Sequence, residues 1–315
     1  MSAESDTYSM SSQATIGSSI TGSNWRLVTR ERNRDGLPLN IMTVGPPGVG
    51  KTTLLNALFG KRLVIPKSKI NMEDPFNPKV TLDSKTFNII IGDVKVKLTI
   101  HESRNYGEAI CFKDSHLPLV RFIESQFVDF YKQESAIDRR NIQDNMVHCL
   151  FFFISAFEHG LTALDIEFLK AVHKKVHIVP IIAWSEILTA SERSAMKQKI
   201  REVLEKHDIQ VYHIDDPHID EPDLTKRAIK EIRDCYPFAI ASIDLNPDCS
   251  LAIRQLKFCK VDSMNPEHSD YQHLRNFFDL KWNSVGYSTR ENFYEEFRTK
   301  MLQRQQPLTP SRHNN

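Results

Sequence analysis

Leu39-Asn40-Ile41-Met42-Thr43-Val44-Gly45-Pro46-Pro47-Gly48-Val49-Gly50-Lys51-Thr52-Thr53-Leu54-Leu55-Asn56-Ala57-Leu58-Phe59-Gly60 reads as strand, loop and helix in one run. Leu39 to Val44 has the apolar density of a buried strand. Gly45 to Thr52 satisfies every fixed position of the phosphate-loop pattern G-x-x-x-x-G-K-[ST]. Thr53 to Phe59 is rich in helix formers, and Gly60 stands where a helix C-cap belongs. The spacing has a chemical reason. Glycines let successive backbone N–H groups turn inward toward phosphate oxygens, and the helix N-terminus adds partial positive charge. In this pattern Lys51 reaches the outer phosphates and the Thr52 hydroxyl is a ligand for Mg²⁺. A chance glycine turn is the alternative, and the strand before and helix after argue against it.

Working outward, the chain alternates strands and helices. Thr86 to Ile91 and Val94 to Ile100 flank Gly92-Asp93 as a hairpin, with Val94, Val96, Leu98 and Ile100 on one face. His101 to Gly107 then falls beside the phosphate loop if the sheet is doubly wound. Leu117 to Gln133 repeats apolar groups at helical spacing, and Val147 to Ile154 is continuously apolar, as in a strand covered on both faces. A helix over Leu164 to Lys174 and a strand over Val176 to Ile182 follow. Thr189-Ala190-Ser191-Glu192 is a capping box opening another helix. Ile209 to Ile214 reads as a short strand, Leu224 to Ile232 as a helix and Phe238 to Ile243 as a strand. Tyr271 to Phe278 and Thr289 to Gln305 read as helices. This order predicts an α/β fold of the P-loop NTPase type, with a doubly wound, mostly parallel sheet flanked by helices, and ligands at the carboxyl ends of its strands. Leu63 to Lys79 is a long proline-bearing loop of the kind that carries function.

Of 315 residues, 40% are hydrophobic and 26% charged, and the formal net charge is +1. Composition is that of a globular protein, and no global field draws it to nucleic acid. Five scattered cysteines without a C-x-x-C argue against a disulfide framework or structural zinc and fit a reduced intracellular compartment. The leader, residues 1–36, is polar and predicted disordered up to about residue 24. Arg26, Arg30, Arg32 and Arg34 then give either a peripheral contact with anionic lipid or a partner chain, or a solvated face partly neutralised by Glu31 and Asp35. The globular unit is expected over 37–303, including a C-terminal helical extension, and 304–315 as a polar tail.

Several segments resemble the septins. These are Val147-His148-Cys149-Leu150, His159-Gly160-Leu161, Leu164 to Phe168, Lys175 to Ala183, Asn265-Pro266-Glu267-His268-Ser269-Asp270, Leu274-Arg275 and Glu291-Asn292-Phe293. The resemblance spans about Leu39 to Met301. It implies a guanine-nucleotide-binding cytoskeletal protein, with GTP or GDP and Mg²⁺ as ligands and other septins as partners in hetero-oligomeric filaments. It places the protein in the cytoplasm, at the cell cortex or division site. No heptad run follows the domain, so bundling through a coiled coil is not expected.

Departures from the family pattern carry as much information. The usual Glu-Ser of the septin phosphate loop is Pro46-Pro47, which removes two backbone N–H donors. D-T-P-G becomes Glu102-Ser103-Arg104-Asn105, with a longer acid and a side chain where glycine approaches the γ-phosphate. A-K-A-D becomes Ala183-Trp184-Ser185-Glu186. Trp184 contacts a base only by stacking, and Glu186 stands in for the guanine-reading aspartate. Ser242 replaces a glycine beside the base, Arg254 matches the family arginine there, and Lys79 replaces the threonine of the first switch. By the same resemblance His159 and Glu192 reach a neighbouring subunit across the nucleotide side; otherwise they are a loop histidine and a capping glutamate. Eroded switch and base motifs beside an intact phosphate loop predict nucleotide binding with weak or absent hydrolysis. An active GTPase with compensated motifs and a nucleotide-independent scaffold are the alternatives.

Overall fold

The computed structural model describes residues 36–63, 78–91, 94–109, 114–138, 142–214, 222–255 and 260–305. The leader arginines, most of the Leu63–Lys79 loop, the Gly92-Asp93 turn and the tail beyond Gln305 lie outside the described residues.

A six-stranded sheet with order β2-β3-β1-β4-β5-β6 organises the molecule. Its strands are β1 (Leu37–Val44), β2 (Thr81–Ile91), β3 (Val94–Arg104), β4 (Cys149–Ser155), β5 (His177–Ala183) and β6 (Phe238–Ile240). β3, β1, β4, β5 and β6 run parallel, and β2 is an antiparallel edge. β1 lies between β3 and β4, so the chain reverses direction across the sheet there. That switch point opens the crevice in which such sheets bind ligands.

The helices are α1 (Lys51–Phe59), α2 (Leu117–Ser135), α3 (Ala163–Val172), α4 (Ala190–Lys206), α5 (Asp223–Cys235), α6 (Tyr271–Ser288) and α7 (Glu295–Gln305). Strand alternation feeds two cores. Ile41, Phe151, Phe153 and Ile181 pack with Leu54, Leu55 and Leu58 of α1, Ile232 of α5 and Leu274 and Phe277 of α6. Met42, Leu150, Phe152 and Ile182 face the other way, onto Ile123 of α2, Phe168 of α3 and Ile200 of α4. β4 is buried at every residue, which is why its sequence is continuously apolar.

Three expectations change. Ile209–Ile214 forms no strand; it passes the start of β5 with a bond from Tyr212 N–H to the Ile178 carbonyl (2.9 Å). β6 pairs only with Ile181–Ala183, the far end of β5, so no neighbouring ladder extends to that segment. The strand expected over Phe238–Ile243 stops at Ile240. Finally, the two C-terminal helices are one rod: α6 passes through a π-helical turn, Thr289–Tyr294, into α7.

Ala57 receives a bond from the Tyr271 hydroxyl at its carbonyl (3.0 Å), tying α6 to α1. Asn265–Asp270 serves as a finishing piece for the sheet. Ala239 of β6 and Ala241 just beyond it donate to Asp270 Oδ2 (2.6 Å) and Ser269 Oγ (3.2 Å), and Asp270 N–H returns a bond to the Ala239 carbonyl (2.8 Å). Lys197 of α4 pairs with the same carboxylate at 2.5 Å. An edge sealed this way cannot template another strand.

Candidate nucleotide site

The loop leaving β1 has the shape its glycines permit. Gly45, Gly48 and Gly50 take φ of 154°, 77° and 89°. A Cβ at Gly45 would meet Phe153 Cβ and the Phe153 carbonyl at 2.6 Å, whereas Gly48 and Gly50 face open space. The first glycine is therefore demanded by the sheet beneath, and the other two leave backbone free for a ligand. Pro46 is half-buried and Pro47 exposed. Lys51 is buried, and its Nζ donates to the carbonyls of Gly45 (3.0 Å) and Pro46 (2.9 Å). Burial lowers its pKa from 10.5 to about 8, against the opposing pull of Glu102 and Glu108. Thr52 Oγ1 donates to both Glu102 oxygens at 2.8 and 3.1 Å. The register of β1 on β3, with Thr43 opposite Glu102, brings these two together.

A cavity of about 160 Å³ opens beside the loop. Engineered cavities of about 150 Å³ admit a benzene ring, so the space suits a flat heterocycle. Gly48, Val49, Gly50 and Thr53 form its phosphate-loop side, and Trp184, Ser242 and Arg254 its far side. Leu54, Phe153, Ile181, Ala183 and Ile240 to Ile243 complete the lining. Gly45, Pro46, Pro47, Lys51 and Thr52 belong to the loop and stand outside the cavity wall, as do Asn105 and Glu186.

Trp184 adopts φ 59°, a region that bulky residues enter rarely. Its ring meets Phe157 edge-on at 5.2 Å. Glu186 is directed at Ser242: Oε2 accepts the Ser242 N–H at 2.9 Å, and Oε1 accepts the Ser242 hydroxyl. Asn105 takes a left-handed backbone (φ 59°), and its Nδ2 donates to the Lys79 carbonyl at 3.0 Å. His159 is exposed in a left-handed turn at the end of β4. Glu192 caps α4 through Thr189 N–H and Oγ1, both at 2.8 Å. Those bonds hold its carboxyl below the usual range, and the nearby His159 adds to the effect. The two prospective interface residues thus stand close together beside the nucleotide side.

The septin family model matches residues 35–311. The chain belongs to the septin family. Septin-2 of Mus musculus is 34% identical over 280 residues, covering 88% of this chain and 78% of that one. Septin-1 of Mus musculus is 34% identical over 278 residues, covering 87% and 76%. The crystal structure of Cdc11 from Saccharomyces cerevisiae superposes with a TM-score of 0.56 over 84% of this chain and all of the other, at 20% identity, a likeness of fold. This is a septin-type protein of the GTP-binding, cytoskeletal class. Among its described residues no helix is long and apolar enough to cross a membrane.

Some of this septin's site was not legible in sequence. Phe153, Ile181 and Ile240 line the pocket, yet in the sequence they are ordinary strand residues. The alternation of β4, read together with Gly45, carries the one signal: the residue beneath a glycine that close must belong to the neighbouring strand.

Proposed function

We propose that this septin holds a nucleotide chiefly by its phosphates, hydrolyses it slowly or not at all, and acts by assembling with other septins into hetero-oligomeric filaments. The observation that carries this is the contrast within one site. The Gly45–Thr52 loop keeps its glycine backbone, Lys51 and Thr52, while the positions that sense and cut a terminal phosphate hold Glu102 and Asn105. Thr52 and Glu102 place a hydroxyl and a carboxylate together, hard oxygen donors of the kind Mg²⁺ accepts. They would hold that ion, which would offset phosphate charge. Lys51 supplies the side-chain cation of the loop. Trp184 and Arg254 offer an indole and a guanidinium to the base. Pro46 and Pro47 contribute shape without N–H donors. Removal of one well-placed transition-state group costs about 10²–10³ in rate, so two displaced groups leave a very slow enzyme.

The working unit is residues 37–303 with its helical extension, between a basic leader suited to peripheral contact with anionic lipid and a polar tail. Its balanced charge suits a cortical scaffold and gives no basis for nucleic-acid binding. Neighbours meet at the nucleotide side, where His159 and Glu192 lie, and at the terminal-helix side.

Chromatography of nucleotide released from the purified full chain tests the reading. We expect GTP or GDP near one equivalent, retained through purification and absent from Lys51→Ala. An empty wild-type protein, or a Lys51→Ala variant that keeps its nucleotide, would overturn it.

A further inference from the structure

The segment Glu102–Tyr106 is held from four sides. β3 stays in its ladder with β2 along the first part, with Glu102 opposite Asp83, Ser103 opposite Leu82 and Arg104 opposite Thr81. Residues opposite each other in a ladder share a face, as do residues two apart on one strand. Asp83, Glu102 and Arg104 therefore stand together. Glu102 accepts the Thr52 hydroxyl of α1. The Arg104 guanidinium pairs with the buried carboxylate of Asp83. Asn105 Nδ2 donates to the Lys79 carbonyl at 3.0 Å. Tyr106 is 1% exposed; its hydroxyl donates to the buried Asp165 of α3 at 3.0 Å, and its ring packs edge-on to Phe152 and Phe168. Asp165 is fixed in turn, because it closes the capping box of α3 with Thr162.

GTP differs from GDP by one phosphate, and a ligand shifts a conformational equilibrium only by its differential contacts with the two states. One hydrogen bond to that phosphate favours a displaced segment by about 10–10². Displacement away from β2 takes Arg104 from a buried carboxylate that already faces Glu102. Breaking a buried ion pair costs about 10² or more, and loss of the Tyr106–Asp165 bond adds to that. The anchors outweigh the added phosphate. We infer that Arg104–Asp83 and Tyr106–Asp165 are latches that hold Glu102–Tyr106 in one conformation with GDP or with GTP in the site. The inference rests on the phosphate-held nucleotide proposed above and specifies its regulation: exchange of GDP for GTP does not move this segment.

Hydrogen exchange of the full chain, read by mass spectrometry over residues 102–108, tests this, because exchange reports the free energy of local opening. Protein saturated with GDP is compared with protein saturated with a non-hydrolysable GTP analogue, each with Mg²⁺. We expect the same protection within about threefold, less than one hydrogen bond to a charged group provides. The latches themselves are read in nucleotide-stripped protein. Asp83→Asn combined with Arg104→Gln removes both charges at nearly constant size and should speed exchange there by about tenfold or more. Tyr106→Phe keeps the buried ring, loses only the bond to Asp165, and should speed exchange by about tenfold; it carries the test if the double variant does not fold. A larger difference between GDP and the analogue would overturn the inference and leave the phosphate-held reading intact. Folded variants that exchange like wild type would overturn it as well, by removing the latches as the cause. If neither nucleotide binds, the phosphate-held reading falls, and the stripped variants still decide whether the latches exist.

Discussion

At the scale of single residues, Lys51 has the most direct consequence. Burial against its own loop brings its pKa down to about 8. The side chain must be charged to hold a phosphate. Below pH 8 the free protein already carries that charge, so affinity is flat. Above pH 8 the free lysine is neutral, and binding must first take up a proton. Affinity for GDP should therefore fall as pH rises from 8 toward the ordinary lysine value of 10.5, by up to about tenfold per unit. Calorimetry at pH 8.5 in buffers of different ionisation enthalpy should register proton uptake; affinity unchanged to pH 9.5 would contradict the assignment. Glu102 and Asn105 make the companion case. Single-turnover hydrolysis of GTP should run about 10² or more below that of a septin carrying the D-T-P-G sequence, from displaced transition-state contacts. A rate equal to such a septin would restore the compensated-GTPase reading. Lys51 was readable in sequence because the phosphate-loop pattern has fixed positions, and Glu102 and Asn105 through the resemblance to the septins. What Glu186 does was not: its partner Ser242 lies 56 positions away, and only the fold brings them together.

At the scale of elements, the Asn265–Asp270 segment explains how the sheet ends. Its resemblance to the family was evident, but its work depends on contacts distant in sequence. Asp270 receives Lys197 from α4 and the Ala239 N–H from β6, and starts α6. Removing one member of a buried ion pair leaves the other charge unpaired, which costs about 3–5 kcal/mol. Asp270→Ala should accordingly lower the melting temperature by roughly 10 °C, at about 2–4 °C per kcal/mol for a domain of this size. Replacing the pair with Lys197→Met and Asp270→Leu together should recover much of that loss in a thermal melt. If Asp270→Ala melts within 2 °C of wild type, by the same scaling, the segment is not the clasp described here. The contrast with Ile209–Ile214 is instructive. Both are short stretches beside a sheet, and apolar pattern alone marked the second as a strand. Pattern reports which residues want burial; whether a ladder forms depends on the neighbour having unpaired backbone at that height. The segment meets β5 through one backbone bond, from Tyr212 N–H to the Ile178 carbonyl, and buries Ile209, Tyr212 and Ile214 without building a ladder. The sheet order and the two-sided core, by contrast, follow from alternating strands and helices that could pack only one way around β1.

At the scale of the whole molecule, the question is how many faces the subunit offers to its neighbours. Large apolar side chains are exposed beside the nucleotide pocket. Phe157 is 61% exposed next to Trp184, Ile187 follows Trp184 in the chain, and Ile253 precedes Arg254. On the terminal rod, Tyr287 and Leu302 are exposed. A subunit with two such faces builds chains, and blocking one face should stop growth at a pair. Truncating or charging an aromatic anchor at an interface centre costs about 2 kcal/mol or more, near thirtyfold in affinity at about 1.4 kcal/mol per tenfold. Mixed with a partner septin in sedimentation velocity, the wild type should form species larger than dimers. Phe157→Asp and Tyr287→Asp should each stop at dimers, held by the face left intact, and the double variant should sediment as a monomer. Thr189→Ala serves as the control for Glu192, since it removes the helix cap and leaves the glutamate in place. If Glu192→Ala weakens assembly beyond what Thr189→Ala does at equal folded stability, the carboxylate reaches the neighbour as well as its own helix. A wild type that stays monomeric with every partner septin would show that neither face is an assembly surface.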